Sequence, residues 1–150
     1  MAEDRVTIVI VDDDAGHAEL VRRNLRRAGL SNPMLTIESG NEALDYVFRR
    51  GAHSEREARG SAIVFLDINI SGSIDGIEVL RQIKNDPLTR RLPVIMLTTA
   101  DDPREIDRCY ELGCNVYVTK PVDPGAFSTA IKRLGQILTV ASLPSLGGLG

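Results

Sequence analysis

AIVFLDIN, at residues 62–69, runs five apolar residues directly into a carboxylate, Asp67. A short apolar run with β-branched residues is typical of a parallel β-strand that is buried on both faces. In an open sheet of such strands, ligands bind outside the carboxyl ends. The run therefore predicts a central strand that presents Asp67 at the edge of the sheet where a ligand would bind.

Three other apolar runs also end in reactive side chains. Residues 5–11 (RVTIVIV) lead into two carboxylates, residues 94–98 (VIMLT) end in a hydroxyl, and residues 115–119 (NVYVT) lead into an ammonium group. Because the carboxyl ends of parallel strands meet at one edge, we expect these groups to lie beside Asp67. They belong to Asp12 and Asp13, to Thr98, and to Lys120. Carboxylates with a hydroxyl and a cation are typical of a site for a phosphate group and a metal ion.

Strand patterns alternate with helix patterns along the chain. A fifth, weaker strand-like run lies at residues 34–37 (MLTI). Between the five runs, and after the last, apolar residues recur at three-and-four spacing, as at Ala18, Val21 and Leu25. Each connection is long enough for a right-handed crossover, so the strands are expected to run parallel. The sequence predicts an α/β fold of the doubly wound type, with helices on both faces of a five-stranded sheet.

Capping residues predict where several helices begin and end. Asp14 is expected to accept hydrogen bonds from the first free amides of the first helix. Gly29 and Gly51 are expected to end the first and second helices. Residues 52–61 are polar and aperiodic, which predicts an exposed loop in which His53 faces solvent.

Composition and charge exclude several classes of protein. The formal net charge of −3 argues against a dedicated nucleic-acid surface. The apolar runs are far shorter than the ~20 residues that cross a bilayer, and no basic leader precedes them, so we expect a cytoplasmic protein that does not enter a membrane. The two cysteines lie without nearby histidines, which suggests neither a zinc site nor a disulfide framework.

The last twelve residues differ from the rest of the chain. We expect one domain over residues 1–138, followed by an uncharged tail, residues 139–150, in which leucine and valine alternate with serine, proline and glycine. Composition alone predicts that this tail is disordered. Alternatively, it is an arm that packs on a twofold-related copy and makes the protein a homodimer.

The acids of the predicted site require a cation. Carboxylates gathered at adjacent strand ends repel one another unless a positive ion neutralises them. Oxygen ligands without histidine or thiolate favour a hard ion, and few protein ligands favour Mg²⁺ over Ca²⁺. We therefore predict Mg²⁺, held by Asp67, by Asp12 and Asp13 directly or through water, and by the backbone carbonyl of Asn69. Asp14 is interpreted as a helix cap and not as a ligand.

A phosphoryl group would find a partner for each of its three oxygens at this site. The metal, the Lys120 ammonium and the Thr98 hydroxyl would each neutralise or hydrogen-bond one of them. Taken singly, a lysine before proline and a threonine at a strand end are also common surface residues. Their occurrence together is what favours the site.

These segments, in this order and spacing, resemble the response-regulator receiver family of two-component signalling. The resemblance covers residues 5–138 and implies a flavodoxin-like sheet with strand order 2-1-3-4-5. The segments that carry it are residues 11–13 (VDD), 66–69 (LDIN), 75–76 (DG), 93–99 (PVIMLTT) and 117–121 (YVTKP).

Membership of that family would assign a role to each site residue. It implies that Asp67 accepts a phosphoryl group from a phosphohistidine of a sensor kinase, with Mg²⁺, Asp12 and Asp13 assisting. It also implies that Lys120 and Thr98 bind the phosphoryl oxygens. Such a protein is no enzyme beyond its own phosphorylation and dephosphorylation.

The same resemblance implies a cis Lys120–Pro121 peptide and a two-state switch. In that switch, Thr98 moves toward the phosphoryl group and Tyr117 turns inward. The output would be contact with a downstream protein or a phosphotransfer protein.

Within the family, the chain looks most like single-domain receivers that accompany bacterial phytochrome-type kinases. This narrower likeness rests on residues 46–51 (YVFRRG), 83–87 (IKNDP) and 110–113 (YELG). One departure is Ser71, because relatives commonly have proline four residues after the acceptor.

Two other functions remain open at this point. A phosphatase of the haloacid-dehalogenase type also uses a strand-end aspartate, Mg²⁺, a threonine and a lysine. Such enzymes have an Asp-x-Asp motif, in which the second acid acts in general acid/base catalysis. This chain has Asn69 at that position. The other alternative is a pseudo-receiver that acts as a scaffold without phosphorylation.

Overall fold

The computed structural model describes residues 6–54, 61–98 and 102–119, together with residues 125, 126, 128–130, 132 and 133, which are helical. Strands and helices alternate along the chain, as the sequence predicts. Their bounds are β1 Val6–Val11, α1 Ala15–Arg27, β2 Met34–Ile37, α2 Gly40–Phe48, β3 Ser61–Asp67, α3 Gly76–Asn85, β4 Val94–Thr98, α4 Pro103–Glu111 and β5 Val116–Thr119. Among these described helices, none has the length and apolar character needed to cross a membrane.

The five strands form one parallel sheet in the order β2-β1-β3-β4-β5. This confirms the predicted flavodoxin-like topology. The central pair, β1 and β3, is in register from Val6 with Ser61 to Val11 with Leu66. Two strands paired over that length end together, so the residues that follow Val11 and Leu66 lie side by side at the carboxyl edge.

Apolar side chains cover both faces of the sheet. On one face, Ile8, Ile10 and Phe65 pack with residues of α1, including Val21. On the other, alternate residues of the same strands, such as Val64, pack with residues of α2, α3 and α4. Because both faces of the central strands are buried, their sequences are continuous apolar runs.

The observed caps confirm two of the predicted helix ends and correct a third. Asp14 accepts hydrogen bonds from the first turn of α1, and Gly29 follows that helix at φ 100°. Helix α2, however, ends at Phe48, because Arg49 takes the left-handed conformation, φ 53°, that glycine was expected to supply. Gly51 instead opens a short 3-10 helix, Gly51–His53, where a Cβ would lie 2.8 Å from the Asp45 carboxylate.

The same short helix overturns the expectation that His53 faces solvent. Its side chain is only 19% exposed, and its Nε2 lies 3.1 Å from Glu42 Oε2. The ring also packs edge-on against Tyr46, with centroids 5.3 Å apart. The chain after α2 folds back on the helix, which a polar, aperiodic sequence does not reveal. Residues 55–60 of the predicted loop lie outside the described residues.

Gly76 lets the start of α3 lie directly against the end of β3. Its N–H donates to Ile68 O over 2.9 Å. A Cβ at this position would lie 2.2 Å from Asp67 O and 2.8 Å from Ile68 Cα. Both contacts are with backbone, which has little freedom to move, so this glycine fixes the distance between α3 and the strand end that carries Asp67.

The other end of α3 is held by a half-buried lysine. Lys84 Nζ donates to Leu92 O over 2.6 Å, to Asn115 Oδ1 over 3.1 Å and to Arg90 O over 3.0 Å. Burial lowers the pKa of Lys84, while the nearby Cys114 thiol acts in the opposite direction. These bonds join the end of α3 to the segments that enter β4 and β5.

Substituting Gly76 tests the close approach of α3 to β3. We expect Gly76→Ala to lower the free energy of unfolding by about 1–3 kcal/mol, because the methyl group forces backbone apart. Gly16→Ala is the matched control, since it also lies in a first helical turn but its Cβ would meet only a side-chain oxygen at 3.2 Å. Urea unfolding of both variants measures the difference, and equal stabilities would contradict this account of Gly76.

The two buried cysteines predict a loss of stability at alkaline pH. Burial raises the pKa of the Cys109 thiol to about 12 and that of Cys114 to about 11. Above pH ~9 the unfolded chain releases these protons while the folded chain retains them, so stability falls as pH rises, by up to about 1.4 kcal/mol per pH unit for each thiol.

Cys109→Ala isolates one of these contributions. Urea unfolding between pH 8 and pH 10.5 should show a shallower alkaline decline in this variant than in the wild type. The lowered pKa of Lys84 works in the opposite direction, but it is present in both proteins and largely cancels in the comparison. Parallel declines would contradict the assignment to Cys109.

Candidate functional site

Two buried carboxylates lie together at the carboxyl edge of the sheet. Asp12 follows β1 directly and Asp67 is the last residue of β3. Only 3% of Asp12 and 8% of Asp67 is exposed. The register of the two strands, which pairs Val11 with Leu66, places the two acids at the same level. The convergence that the apolar runs predicted for these two residues is therefore present in the fold.

A histidine that the sequence reasoning missed joins these acids. A ring nitrogen of His17, a carboxylate oxygen of Asp12 and a carboxylate oxygen of Asp67 all lie within 4.8 Å of one another. Helix α1 begins at Ala15, so His17 lies in its first turn. Side chains on a helix lean toward its N-terminus, which carries the imidazole back over the strand ends. The sequence did contain a signal for this position of His17: it lies five residues after a strand-end acid, in the first turn of a helix that Asp14 caps.

Backbone amides fix part of each acid. Asp12 Oδ1 accepts a hydrogen bond from the Asp14 N–H over 2.8 Å. Asp67 Oδ1 accepts one from the Asn69 N–H over 3.1 Å. Each bond is made within a turn that follows its strand, so the orientation of the carboxylate is set by the local backbone.

Asp13 makes a different contact. Its Oδ2 accepts a hydrogen bond from the Ser71 N–H over 2.9 Å, across the gap between the first and third strand ends. A proline at position 71 has no N–H and would not make this bond. Asp13 is not in the cluster formed by Asp12, His17 and Asp67. The ligand roles predicted for Asp13 and for the exposed Asn69 stay predictions.

The remaining site residues are placed only in part. Thr98 ends β4, one residue after Leu97, which pairs with Asp67. The side chain of Thr98, the whole of Lys120 and the Lys120–Pro121 peptide lie outside the described part of the chain.

Tyr117, the predicted switch residue, lies on β5. It is half-buried and packs against the larger of the two apolar clusters. Its backbone N–H donates to the hydroxyl of Tyr110 on α4 over 3.1 Å. This bond ties the edge strand to the helix beside it.

The donors at the strand ends fit a divalent cation. Carboxylate oxygens are the ligands that Mg²⁺ prefers, and two carboxylates buried this close together need a positive partner. Asp12 and Asp67 supply such oxygens within metal-binding reach of each other. The arrangement suits an acid whose other oxygen is left to react with an electrophile held by the same cation.

Comparison with known proteins identifies the family. The model of the response regulator receiver domain matches residues 8–132. A solved receiver domain from Rhodospirillum rubrum has a TM-score of 0.85 and 44% sequence identity, covering 95% of this chain and 99% of that one.

Two further similar proteins are response regulators, and one of them is a phytochrome response regulator. The phosphorylated cyanobacterial phytochrome response regulator RcpA has a TM-score of 0.84 and 28% identity, covering 94% of this chain and 99% of that one. Response regulator Rcp1 of Synechocystis is 31% identical over 113 residues, 75% of either protein. Its Mn²⁺-bound form has a TM-score of 0.83 and 26% identity, covering 93% of this chain and 99% of that one. The chain therefore belongs to the response regulator receiver domain family of two-component signalling, and its structural neighbours include phytochrome response regulators.

Proposed function

We propose that this receiver takes a phosphoryl group from a sensor-kinase phosphohistidine onto Asp67, in the presence of Mg²⁺. The observation that carries the proposal is the convergence of Asp67 with Asp12 at the paired ends of β3 and β1. In the transfer, a carboxylate oxygen of Asp67 forms a bond to phosphorus as the bond from phosphorus to the histidine nitrogen breaks, and the histidine keeps the electron pair. The product is an acyl phosphate.

The acids around Asp67 would hold the cation. Asp12 and Asp67 would contribute carboxylate oxygens, with Asp13 and the backbone carbonyl of Asn69 completing the protein ligands directly or through water. Bound Mg²⁺ supplies positive charge that offsets the repulsion between these carboxylates and an incoming phosphoryl group. The support is the burial of Asp12 and Asp67, because a positive ion stabilises carboxylates that are buried close together.

Thr98 and Lys120 would bind phosphoryl oxygens on the side away from the cation. Thr98 follows Leu97, the partner of Asp67 in the sheet, and Lys120 follows β5 in the sequence. Phosphorylation adds roughly −1.5 to −2 charge units. A movement of Thr98 toward that charge, with Tyr117 turning inward, would alter the surface made by α4 and β5, which biases an existing equilibrium between two states.

The partners would be proteins. The likeness to RcpA and Rcp1 favours a phytochrome-type sensor histidine kinase as the phosphoryl donor. The output would pass to a downstream protein or a phosphotransfer protein, and we propose no direct action on nucleic acid or membrane. Receivers are signalling proteins, so we expect a cytoplasmic switch whose chemistry is limited to its own phosphorylation and dephosphorylation.

The two alternatives receive less support. A haloacid-dehalogenase-type phosphatase needs a second acid two residues after its nucleophile, and that residue is Asn69, whose backbone N–H contacts Asp67. A scaffold without phosphorylation would not need Asp12 and Asp67 buried together.

Replacing Asp67 tests the proposal. With acetyl phosphate and Mg²⁺, the wild type should gain the mass of one phosphoryl group, and Asp67→Asn should gain none because an amide is a poor nucleophile. Asp86→Asn is the matched control, since Asp86 follows the other end of α3 and should leave labelling unchanged. Intact-protein mass spectrometry gives the result, and chelation of Mg²⁺ should abolish labelling of the wild type.

Other results would favour the alternatives. Sustained release of p-nitrophenol from p-nitrophenyl phosphate would indicate the phosphatase. Partner binding that needs neither Mg²⁺ nor Asp67 would indicate the scaffold.

We further propose that residues 1–138 form the receiver and that residues 139–150 form a dimerisation arm. The support is compositional, because the tail is uncharged and repeats leucine or valine, and it lies outside the described residues. Removing residues 139–150 should convert a homodimer to a monomer, as measured by sedimentation equilibrium, because apolar contact area is lost. An unchanged sedimentation mass would reject the arm.

A further inference from the structure

We propose that His17 is a third ligand of the cation held by Asp12 and Asp67, and that it gives this receiver a preference for Mn²⁺ over Mg²⁺. The inference rests on the proposed function of the site, to which it adds an imidazole donor. It concerns which cation the site selects, and it is separable from the question of whether Asp67 accepts phosphate.

The spacing of the three donor atoms is close to that of ligands around one ion. A ring nitrogen of His17 and carboxylate oxygens of Asp12 and Asp67 lie within 4.8 Å of one another. Oxygen and nitrogen ligands lie about 2 Å from small divalent cations, so ligands on opposite sides are about 4 Å apart.

The position of the imidazole is defined by the start of α1. Asp14 Oδ1 accepts hydrogen bonds from the backbone N–H groups of Gly16 and His17, over 2.9 and 3.1 Å. The other oxygen of the same carboxylate lies 3.6 Å from His17 Nδ1. A carboxylate beside the imidazole is the usual neighbour of a metal-binding histidine, because it orients the ring and raises the basicity of the ligand. Asp14 thus lies beside the imidazole as well as capping the helix.

The contact made by Asp13 bears on which ligands the cluster of Asp12, His17 and Asp67 offers to a cation. Asp13 Oδ2 accepts a hydrogen bond from the Ser71 N–H, and Asp13 is not among the three residues of the cluster. The cluster therefore offers two carboxylates and one nitrogen. Mg²⁺ takes oxygen ligands almost exclusively, whereas first-row transition ions accept imidazole readily. A mixed set of this kind favours a first-row transition ion such as Mn²⁺ over Mg²⁺.

If His17 has only a structural role, a different experimental result is expected. Its side chain is 44% exposed, so it would be explained equally by a surface contact with Asp14 alone. In that case no nitrogen would enter the coordination sphere, and removing the ring would leave cation affinities unchanged. Direct detection of a metal–nitrogen interaction distinguishes the two roles.

The chain offers a matched control, because its only two histidines are His17 and His53. Full-length wild type, His17→Gln and His53→Gln would be titrated with Mn²⁺ and with Mg²⁺ by calorimetry. Pulsed electron paramagnetic resonance of bound Mn²⁺ would report coupling to an imidazole nitrogen. His53 contacts Glu42 and Tyr46 and lies outside the cluster, so its substitution should change neither result.

We expect His17→Gln to weaken Mn²⁺ binding about tenfold, with a change in Mg²⁺ binding of less than about twofold, since one nitrogen donor matters far more to a transition ion. The nitrogen coupling should be present in the wild type and in His53→Gln and absent in His17→Gln. Urea unfolding would establish that all three proteins are folded.

Absence of nitrogen coupling in the wild type, or its persistence in His17→Gln, would overturn the inference. The proposed function would survive that outcome if Mg²⁺ still supports labelling of Asp67 by acetyl phosphate. If no divalent ion binds the wild type and no labelling occurs, both the inference and the proposed function fail.

Discussion

The parallel pairing of β1 with β3 is the constraint on which the site depends. It brings two carboxylates, Asp12 and Asp67, to one level at the edge of the sheet and buries both. Burying like charges together is unfavourable in the absence of a compensating cation or hydrogen bonds. Apolar side chains pack on both faces of the strands behind the acids, and this packing offsets the unfavourable free energy of burying them. An acidic site of this kind is therefore stable only at the end of a well-formed central strand pair.

Much of this arrangement follows from local sequence. The apolar runs predict the strands, because a strand covered on both faces needs apolar residues at successive positions. The acids that end two of these runs converge, as predicted, because parallel strands share a carboxyl edge. Asp14 and Gly29 bound α1 as expected, since their roles depend only on their immediate neighbours.

What the sequence did not reveal depends on contacts between distant segments. His17 reaches Asp12 and Asp67 only because α1 starts where its side chains lean back over the sheet. The turn of Asp13 toward Ser71 joins two loops that are far apart in the sequence. The error in the predicted end of α2 and the partial burial of His53 have a common cause. Both arise where the chain folds back on α2 after Arg49. The hydrophobic periodicity of a single segment cannot predict such contacts between distant segments.

The two ends of α3 limit how the protein can respond to added charge at Asp67. At its start, Gly76 lies against the backbone of Asp67 and Ile68, and at its end Lys84 is bonded to the segments that enter β4 and β5. A helix held by backbone contacts at one end and by three hydrogen bonds of a lysine ammonium at the other is costly to displace.

The edge strand offers less resistance. β5 has four residues, none of them buried, and the hydroxyl of Tyr110 accepts one hydrogen bond from the backbone N–H of Tyr117. One such bond contributes only about 1 kcal/mol net, which is less than the coupling that a phosphoryl group and its cation can exert on neighbouring donors. Rearrangement of α4 and β5 would therefore cost less than displacement of α3, which is consistent with the proposal that the switched surface lies there.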